Sequence, residues 1–139
     1  MSYSSEHMES INVVAGIFIE GNRVFSARRA PGRSMAGKWE FVGGKIEDGE
    51  TPEDALIREI REELGVACSV LGHFTTDITV LDELTIVLRC YLASFQSRPL
   101  VSSDHDEFKW LAKDELWDID WAEADKPAVK MLELSHPLT

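Results

Sequence analysis

The sequence predicts a single α/β domain in which a mixed β-sheet is flanked by helices. Apolar, β-branched segments and segments of helical periodicity are mixed along the chain, without the strict alternation that a purely parallel sheet requires. The 139 residues are enough for one compact domain with a buried core. No long linker, repeat or low-complexity segment divides the chain.

The first predicted elements form a hairpin. Residues 1–10 are polar and are expected to be a flexible tail, so that the single domain spans residues 11–139. Residues 12–19 are apolar and β-branched, a Gly-Asn turn follows, and the apolar pattern resumes at residues 24–27, which is typical of a hairpin. Residues 28–37 contain proline and two glycines and are predicted to form a loop.

The clearest helix is predicted over residues 51–64. Thr51 is a favourable N-cap, Pro52 suits the first helical position, and Gly65 stands where a left-handed C-terminal cap is expected. The buried stripe of this helix is expected to consist of Leu56, Ile60 and Leu64.

The other predicted elements are short strands and a second helix. The strands are expected at residues 39–42, where a Gly-Gly pair ends the strand, and at 66–71, 75–81, 84–95 and 107–112. The second helix is expected over residues 124–134.

Composition argues against several classes of function. The net charge of −11 disfavours binding to nucleic acid polymers, but it permits a small anionic substrate, because divalent cations invert the local sign of the charge. No apolar run approaches the ~20 residues that a membrane helix needs, and no signal-peptide pattern is present, so no membrane contact and a cytoplasmic location are expected. Cys68 and Cys90 lie in apolar segments and are expected to be buried. No histidine has metal-ligand spacing, and no role is assigned to His7, His73, His105 or His136.

Three glutamates share one face of the predicted helix. At 100° per residue, Glu59, Glu62 and Glu63 fall within an arc of roughly 100° beside the apolar stripe. Two such charges about 6 Å apart in a half-buried cleft repel by roughly 2–3 kcal/mol, so an enclosed cluster favours a bound cation such as Mg²⁺. From the spacing alone, a solvated acidic face paired with Arg58 and Arg61 is the alternative interpretation.

The glutamates belong to a longer pattern. Gly44 is followed by five residues, Glu50, seven residues and then R-E-I-R-E-E-L-G-V at positions 58–66. This sequence matches the Nudix box, G-x(5)-E-x(7)-R-E-U-x-E-E-x-G-U with U apolar, at every specified position, for which the chance probability is on the order of 10⁻⁸. The motif needs a loop, a capped helix and a second loop, and all three are predicted here.

The chain therefore resembles the Nudix hydrolases. It is most similar, over residues 11–135, to the small MutT-type triphosphate pyrophosphohydrolases, which include the CTP pyrophosphohydrolase group. The likeness upstream of the box is carried by Arg28-Arg29-Ala30, Met35, Trp39-Glu40-Phe41 and Gly43-Gly44-Lys45. The resemblance implies an α/β/α sandwich and Mg²⁺-dependent hydrolysis, with Mn²⁺ as a possible substitute. The implied substrate is an oxidised purine nucleotide such as 8-oxo-dGTP, or a CTP/dCTP-type pyrimidine, which is cut to a monophosphate and pyrophosphate to sanitise the nucleotide pool.

The resemblance also implies roles for the residues of the box. The implied metal ligands are Glu59, Glu62, Glu63 and the backbone carbonyl of Gly43. Arg58 is implied to fix these carboxylates through paired hydrogen bonds. Gly43 and Gly44 allow the backbone to approach metal or phosphate, although a tight turn would also explain them.

The general base is less clearly indicated. MutT-type chains place a glutamate six residues before a strand tryptophan, and here Trp110 leads back to Asp104, which is a shorter carboxylate. Glu107 and Glu50 remain alternatives for this role, and Glu50 could instead tether the loop.

Four further residues are implied to bind substrate. Arg29 and Lys45 correspond to positions that face the phosphates, although either could be an ordinary surface cation. Phe41 and Asp125 correspond to base-recognition positions. Asp125 falls where MutT has an asparagine that reads oxidised guanine and CTP pyrophosphohydrolases have aspartate. An ionised aspartate only accepts hydrogen bonds, which favours an exocyclic amine, but Asp125 could also cap the last helix.

Other substrates and classes remain open. ADP-ribose members of the family carry a proline some fifteen residues beyond the box, and dinucleoside polyphosphate members carry a tyrosine. Residues 80–83 offer neither, which weakens both alternatives. A non-catalytic nucleotide sensor of the same fold is disfavoured because every box carboxylate is present. The expected partner is a small-molecule nucleotide, and the chain is expected to be a monomer or a homodimer.

Overall fold

The computed structural model describes residues 9–99, 102 and 104–135. Its strands are β1 (Glu9–Glu20), β2 (Arg23–Arg29), β3 (Trp39–Glu40), β4 (Gly43–Lys45), β5 (Cys68–Leu81), β6 (Leu84–Phe95) and β7 (His105–Ala112). Its α-helices are α1 (Pro52–Leu64) and α2 (Lys126–Leu134), and two 3₁₀ turns span Lys113–Asp118 and Glu123–Asp125. None of these helices combines the length and apolar character needed to cross a membrane.

The strands form one seven-stranded mixed sheet. The main path runs β3-β2-β1-β6-β5, with β4 paired to β1 and β7 paired to β2. Strands β1 and β6 are parallel, whereas the other pairs are antiparallel. One apolar core includes the buried face of α1, and a second core on the other side of the sheet includes the buried face of α2. The predicted α/β/α sandwich around a mixed sheet is therefore confirmed.

Helix α1 begins and ends as its sequence predicts. The Thr51 hydroxyl accepts a hydrogen bond from the Asp54 backbone N–H, which satisfies one of the free N–H groups of the first turn. At the other end, Gly65 adopts a left-handed conformation with φ of 69° and donates its N–H to the Arg61 carbonyl. The predicted stripe is buried at Leu56, Ile60 and Leu64.

The start of the domain differs slightly from the prediction. Glu9 and Ser10 belong to β1 and pair with β6, so the expected tail is wrong for these two residues, and residues 1–8 lie outside the described part. The hairpin is confirmed by the pairing of Ile19 with Val24. Strand β2 continues through Arg29, two residues into the predicted loop, because β7 pairs with it along that length.

Two other predictions of strand ends are wrong. The Gly43–Gly44 pair does not end a strand, since Gly43–Lys45 forms β4 along β1. The two strands predicted at residues 66–71 and 75–81 are one strand, β5, whose pairing with β6 shifts register at two irregularities. Helix α2 begins two residues later than predicted, after a 3₁₀ turn. Cys68 and Cys90 are both buried free thiols, as expected.

Candidate functional site

Helix α1 presents three glutamates beside its buried stripe, and we call Glu59, Glu62 and Glu63 the helix face. The side chains of Glu59 and Glu63 are each 16% exposed, whereas Glu62 is 59% exposed. Burial raises the pKa of Glu59, and the neighbouring Arg58 guanidinium only partly opposes this effect. Two of the three carboxylates therefore lie at the edge of the core, and the third lies in solvent beside them.

Arg58 connects the helix face to the preceding loop. Its Nη1 donates to Glu59 Oε2 and to Glu62 Oε1, each at 2.9 Å. Its Nε and Nη2 donate to the two Glu50 oxygens at 2.7 and 2.9 Å, and Nη2 also reaches the Lys45 carbonyl at 3.0 Å. The planar guanidinium thus fixes three carboxylates and one carbonyl at once, which is the arrangement expected from the sequence.

Glu50 holds the loop that leads into α1. Both of its oxygens accept hydrogen bonds from Arg58, and one also accepts the Glu47 backbone N–H at 2.9 Å. These bonds lower the pKa of Glu50 to about 2, with the Arg58 bond as the largest cause. Because both oxygens of Glu50 are engaged by Arg58 and one also holds the Glu47 N–H, the geometry supports the loop-tethering role for Glu50.

The two glycines of β4 have different tasks. A Cβ on Gly44 would lie 2.3 Å from Glu59 Cδ, so the missing side chain leaves room for the Glu59 carboxylate. A Cβ on Gly43 would lie 1.9 Å from the Val14 carbonyl oxygen, so Gly43 is required by the packing of β4 on β1. Because both residues lie in a strand and neither has a positive φ, the tight-turn explanation is wrong.

Asp104 lies next to the helix face. Its carboxyl group shares a hydrogen bond with Glu63, and its Oδ1 lies 3.0 Å from Arg33 Nε. Burial, and then the bond with Asp104, raise the pKa of Glu63 to about 8, whereas the same bond lowers the pKa of Asp104. By contrast, Glu107 pairs with Arg28 at 3.4 Å. Of these two candidates for the general base, Asp104 is the one that contacts the helix face.

A cavity of about 490 Å³ opens beside β4. Its lining includes the charged residues Arg29, Glu40 and Lys45 together with Gly43 and Gly44. It also includes apolar residues of β1, β5 and β6, the segment before α2, and Phe41 and Asp125. A cavity of this size and character suits a small molecule with one apolar and one charged part. Gly44 lines the cavity and also lies against Glu59 of the helix face.

Phe41 and Asp125, which are predicted to recognise the base, are in direct contact. The Phe41 backbone N–H donates to Asp125 Oδ2 at 2.9 Å, and the Phe41 ring packs on Trp121 with a centroid distance of 4.7 Å. The Asp125 side chain makes no helix-capping hydrogen bond, so the helix-cap explanation is wrong. Asp125 instead turns into the cavity wall.

The surroundings of Asp125 change one expectation. Complete burial, with the nearby Glu40 carboxylate as a second cause, raises the pKa of Asp125 well above its usual value. A carboxyl group with a raised pKa holds its proton at higher pH, and in that form it donates as well as accepts. The premise that Asp125 only accepts hydrogen bonds therefore does not follow from its environment.

Arg29 and Lys45 differ in how firmly they are held. The Arg29 guanidinium donates to the Ser34 carbonyl at 3.1 Å and lies 3.5 Å from Glu40 Oε2. The Lys45 side chain is exposed at the rim of the cavity, and its ammonium group has no hydrogen bond or ion pair with the described residues. Both residues line the cavity, and their positive charge suits an anionic substrate group there.

Two residues with no role assigned from the sequence belong to the site. Glu40 lines the cavity, and its Oε2 lies 2.7 Å from Nε2 of the buried His105. His105 is the residue directly after Asp104, so proximity to a predicted base was the available signal. His73 is exposed on β5, while His7 and His136 lie outside the described residues.

The carboxylates of the helix face fit a hard divalent cation in their chemistry. They offer several oxygen donors, and an opposing cation would lower the raised pKa values of Glu59 and Glu63. Across residues 9–99, 102 and 104–135, no group of acidic, histidine or cysteine side chains is arranged to hold a metal ion. Here Glu62 turns to Arg58, and because it is largely exposed it can rotate at little cost.

The family of the chain follows from a comparison with known domains. The family model described as "NUDIX domain" matches residues 10–132, which is most of the chain. The chain therefore belongs to the Nudix family, and the box and the fold place Glu59, Glu62 and Glu63 on its characteristic helix.

Particular relatives make this family assignment more specific. The chain is 39% identical over 116 residues to a Mycobacterium tuberculosis protein named "Putative 8-oxo-dGTP diphosphatase 2", with 82% of each chain covered. It is 31% identical over 123 residues to the Escherichia coli CTP pyrophosphohydrolase, with 88% of this chain and 91% of the relative covered. The crystal structure of a MutT NUDIX hydrolase from Burkholderia pseudomallei superposes with a TM-score of 0.80 at 26% identity and covers 89% of this chain and 98% of that chain. The protein is accordingly a pyrophosphohydrolase of the MutT type.

Proposed function

We propose that this protein hydrolyses a nucleoside triphosphate, of the 8-oxo-dGTP or CTP type, to a monophosphate and pyrophosphate. The single observation that carries the proposal is the cavity, whose lining contains Phe41 and Asp125 as well as Gly44, which lies against Glu59 of the helix face. A nucleobase would lie against the apolar lining, with its phosphates beside Arg29 and Lys45. The names of the two relatives support both types of substrate.

The helix face would hold Mg²⁺, or Mn²⁺ in its place, through Glu59, Glu62, Glu63 and the Gly43 carbonyl. The cation would supply charge stabilisation for the phosphoryl group and would orient and acidify the attacking water. Arg58 keeps the carboxylates in place through its hydrogen bonds, and Asp104 is the candidate to accept the proton from that water.

The base would be recognised by the Asp125 carboxyl and by apolar side chains of the cavity wall. The Asp125 carboxyl is held by the Phe41 N–H, so its second oxygen remains to meet the edge of a base. The cavity also carries apolar side chains that would pack on a ring.

We place the activity in the cytoplasm, where it would sanitise the nucleotide pool. The free thiols of Cys68 and Cys90 suit a reducing compartment.

A substrate panel tests the proposal. Purified protein would be assayed with Mg²⁺, with Mn²⁺ and with a chelator against 8-oxo-dGTP, dGTP, CTP, dCTP, ADP-ribose and a dinucleoside polyphosphate. We expect pyrophosphate release from an oxidised purine or cytosine triphosphate at a kcat/KM at least about 10-fold above that of the other substrates, and no activity with the chelator. A preference for ADP-ribose, or phosphate rather than pyrophosphate as product, would contradict the proposal.

A further inference from the structure

The His105 side chain lies between the cavity and the helix face. It is 1% exposed at the start of β7, and its Nε2 lies 2.7 Å from Glu40 Oε2 on the cavity wall. Its Nδ1 lies 2.9 Å from Ser102 Oγ and 3.9 Å from Glu63 Oε2 of the helix face. One buried imidazole therefore contacts a carboxylate of the cavity and adjoins a carboxylate of the helix face.

A neutral imidazole satisfies these contacts. With its proton on Nε2, His105 donates to Glu40, and the Ser102 hydroxyl donates to Nδ1 at 2.9 Å in preference to Glu63 Oε2, which lies farther away at 3.4 Å. Ser102 Oγ also accepts the Asp104 backbone N–H at 3.2 Å. Both ring nitrogens are thus paired, so the ring can be buried without a charge. The same hydroxyl ties His105 to the backbone that carries Asp104.

The orientation of the Glu40 side chain depends on a hydrogen-bond partner such as His105. It belongs to β3, which is only two residues long, and its side chain shares the cavity wall with the buried Asp125 carboxyl, whose charge interacts with it. The other partner of Glu40 among the described residues is Arg29, at the longer distance of 3.5 Å and mainly bound to Ser34. The short bond from His105 is therefore the strongest contact that orients Glu40 in the described part of the chain.

We propose that His105 is a positioning residue, which holds Glu40 on the cavity wall and, through Ser102, holds Asp104 beside Glu63. A nucleotide in the cavity would then meet the helix face in a fixed register, because both sides are aligned on one rigid imidazole. This inference rests on the proposed function, since it concerns the same site. His105 has no role in proton transfer to the substrate under this proposal.

Three variants test this role. His105→Leu removes both bonds, and His105→Gln keeps a nitrogen donor where Nε2 lies. The matched control is His73→Leu, which changes an exposed histidine of β5 that contacts Thr76 at 2.7 Å. With the best triphosphate of the panel, we expect His105→Leu to lower kcat/KM at least about 10-fold with a raised KM. We expect His105→Gln to recover most of that loss and His73→Leu to stay within about twofold of the wild type.

A double-mutant cycle with Glu40→Gln separates positioning from general packing. If His105 acts through Glu40, the double variant should lose no more kcat/KM than the more damaged single variant, to within about twofold. Additive losses, or a His105→Leu protein that equals the His73→Leu control, would overturn the inference while leaving the proposed function intact. A wild type that is inert toward every nucleotide would overturn both.

Poor folding of the leucine variant would not end the test. His105→Asn offers its nitrogen near the position of Nδ1, and His105→Gln near that of Nε2, so the two polar variants can be compared directly. We expect the asparagine variant to lose selectivity among triphosphates and the glutamine variant to keep it, because only the latter reaches Glu40. Equal kinetics for the two variants would contradict the inference.

Discussion

The helix face and the cavity differ in how the chain builds them. The carboxylates of Glu59 and Glu62 are fixed by a residue close in sequence, Arg58, which also binds Glu50. The cavity is closed by residues from distant segments, such as Phe41 with Asp125. Most of the residues proposed for hydrolysis thus lie in one short segment, with Asp104 as the exception, whereas the lining of the cavity depends on the complete fold.

The largest effect should come from the helix face. Glu62→Gln keeps the size of the side chain and a carbonyl acceptor for Arg58, but it removes one of the negative charges proposed for the cation. We expect turnover to fall by at least ~10² with Mg²⁺, while the free energy of unfolding changes by less than about 0.5 kcal/mol because Glu62 is largely exposed. Steady-state kinetics and chemical denaturation provide the two measurements.

Glu53→Gln is the control on the same helix. Glu53 is also exposed, but it lies in the first turn of α1 and away from Arg58. Its loss should leave kcat within about twofold of the wild type. Near-normal Mg²⁺-dependent activity of Glu62→Gln would refute the role of the helix face, as would an equal loss in both variants.

A second prediction concerns the point where the two regions meet. Gly43→Ala would place a Cβ against the rigid Val14 carbonyl, and we expect it to destabilise the fold by about 1–3 kcal/mol or more. Gly44→Ala would instead displace the end of the Glu59 side chain, which is flexible. The second variant should therefore keep most of its stability and lose kcat about 10-fold or more.

Thermal unfolding and kinetics of the two alanine variants decide this prediction. The substitutions are identical and adjacent, so each variant serves as the control for the other. Equal destabilisation of the two variants would contradict the difference in packing between Gly43 and Gly44. A Gly44→Ala enzyme with normal kcat would show that the close approach of Glu59 to β4 has no catalytic importance.

The contrast between contacts that are local in sequence and contacts between distant segments also explains which elements of the fold the sequence predicts. The limits of α1 were predictable because capping is local, with the Thr51 side chain at one end and the left-handed Gly65 at the other. The single strand β5 was not predicted, because its two irregularities interrupt the alternation that marks a strand. Strand β4 was not predicted, because the Gly43–Gly44 pair was expected to end the preceding strand. Glycine signals only conformational freedom, whereas the need here is close approach to β1 and Glu59.

The residues of the candidate site divide in the same way into those predictable from local sequence and those that depend on strand pairing. The box and the spacing from Trp110 predicted the residues near the helix face, including Asp104 next to Glu63. The role of His105 was not predicted, because it depends on the register in which β7 lies along β2 and places this residue opposite Arg29. Periodicity alone cannot supply such a register.

The smallest effect should appear in the cavity, as a change of preference rather than a loss of rate. Asp125→Asn preserves the shape of the side chain and the acceptor for the Phe41 N–H, but the amide donates at every pH. We expect the ratio of kcat/KM for 8-oxo-dGTP to that for CTP to shift by about 3- to 10-fold, since one good hydrogen bond accounts for about that factor.

The pH dependence of this ratio sharpens the same prediction. Because burial raises the pKa of Asp125, the wild-type carboxyl is a donor and acceptor below that pKa and only an acceptor above it. The ratio should therefore change with pH in the wild type and stay constant in Asp125→Asn, whose amide does not titrate. Taking the ratio cancels pH effects on the helix face, since both substrates share that chemistry. Parallel pH profiles of the ratio in the two proteins would show that Asp125 does not contact the base, and base recognition would then rest on the shape of the cavity alone.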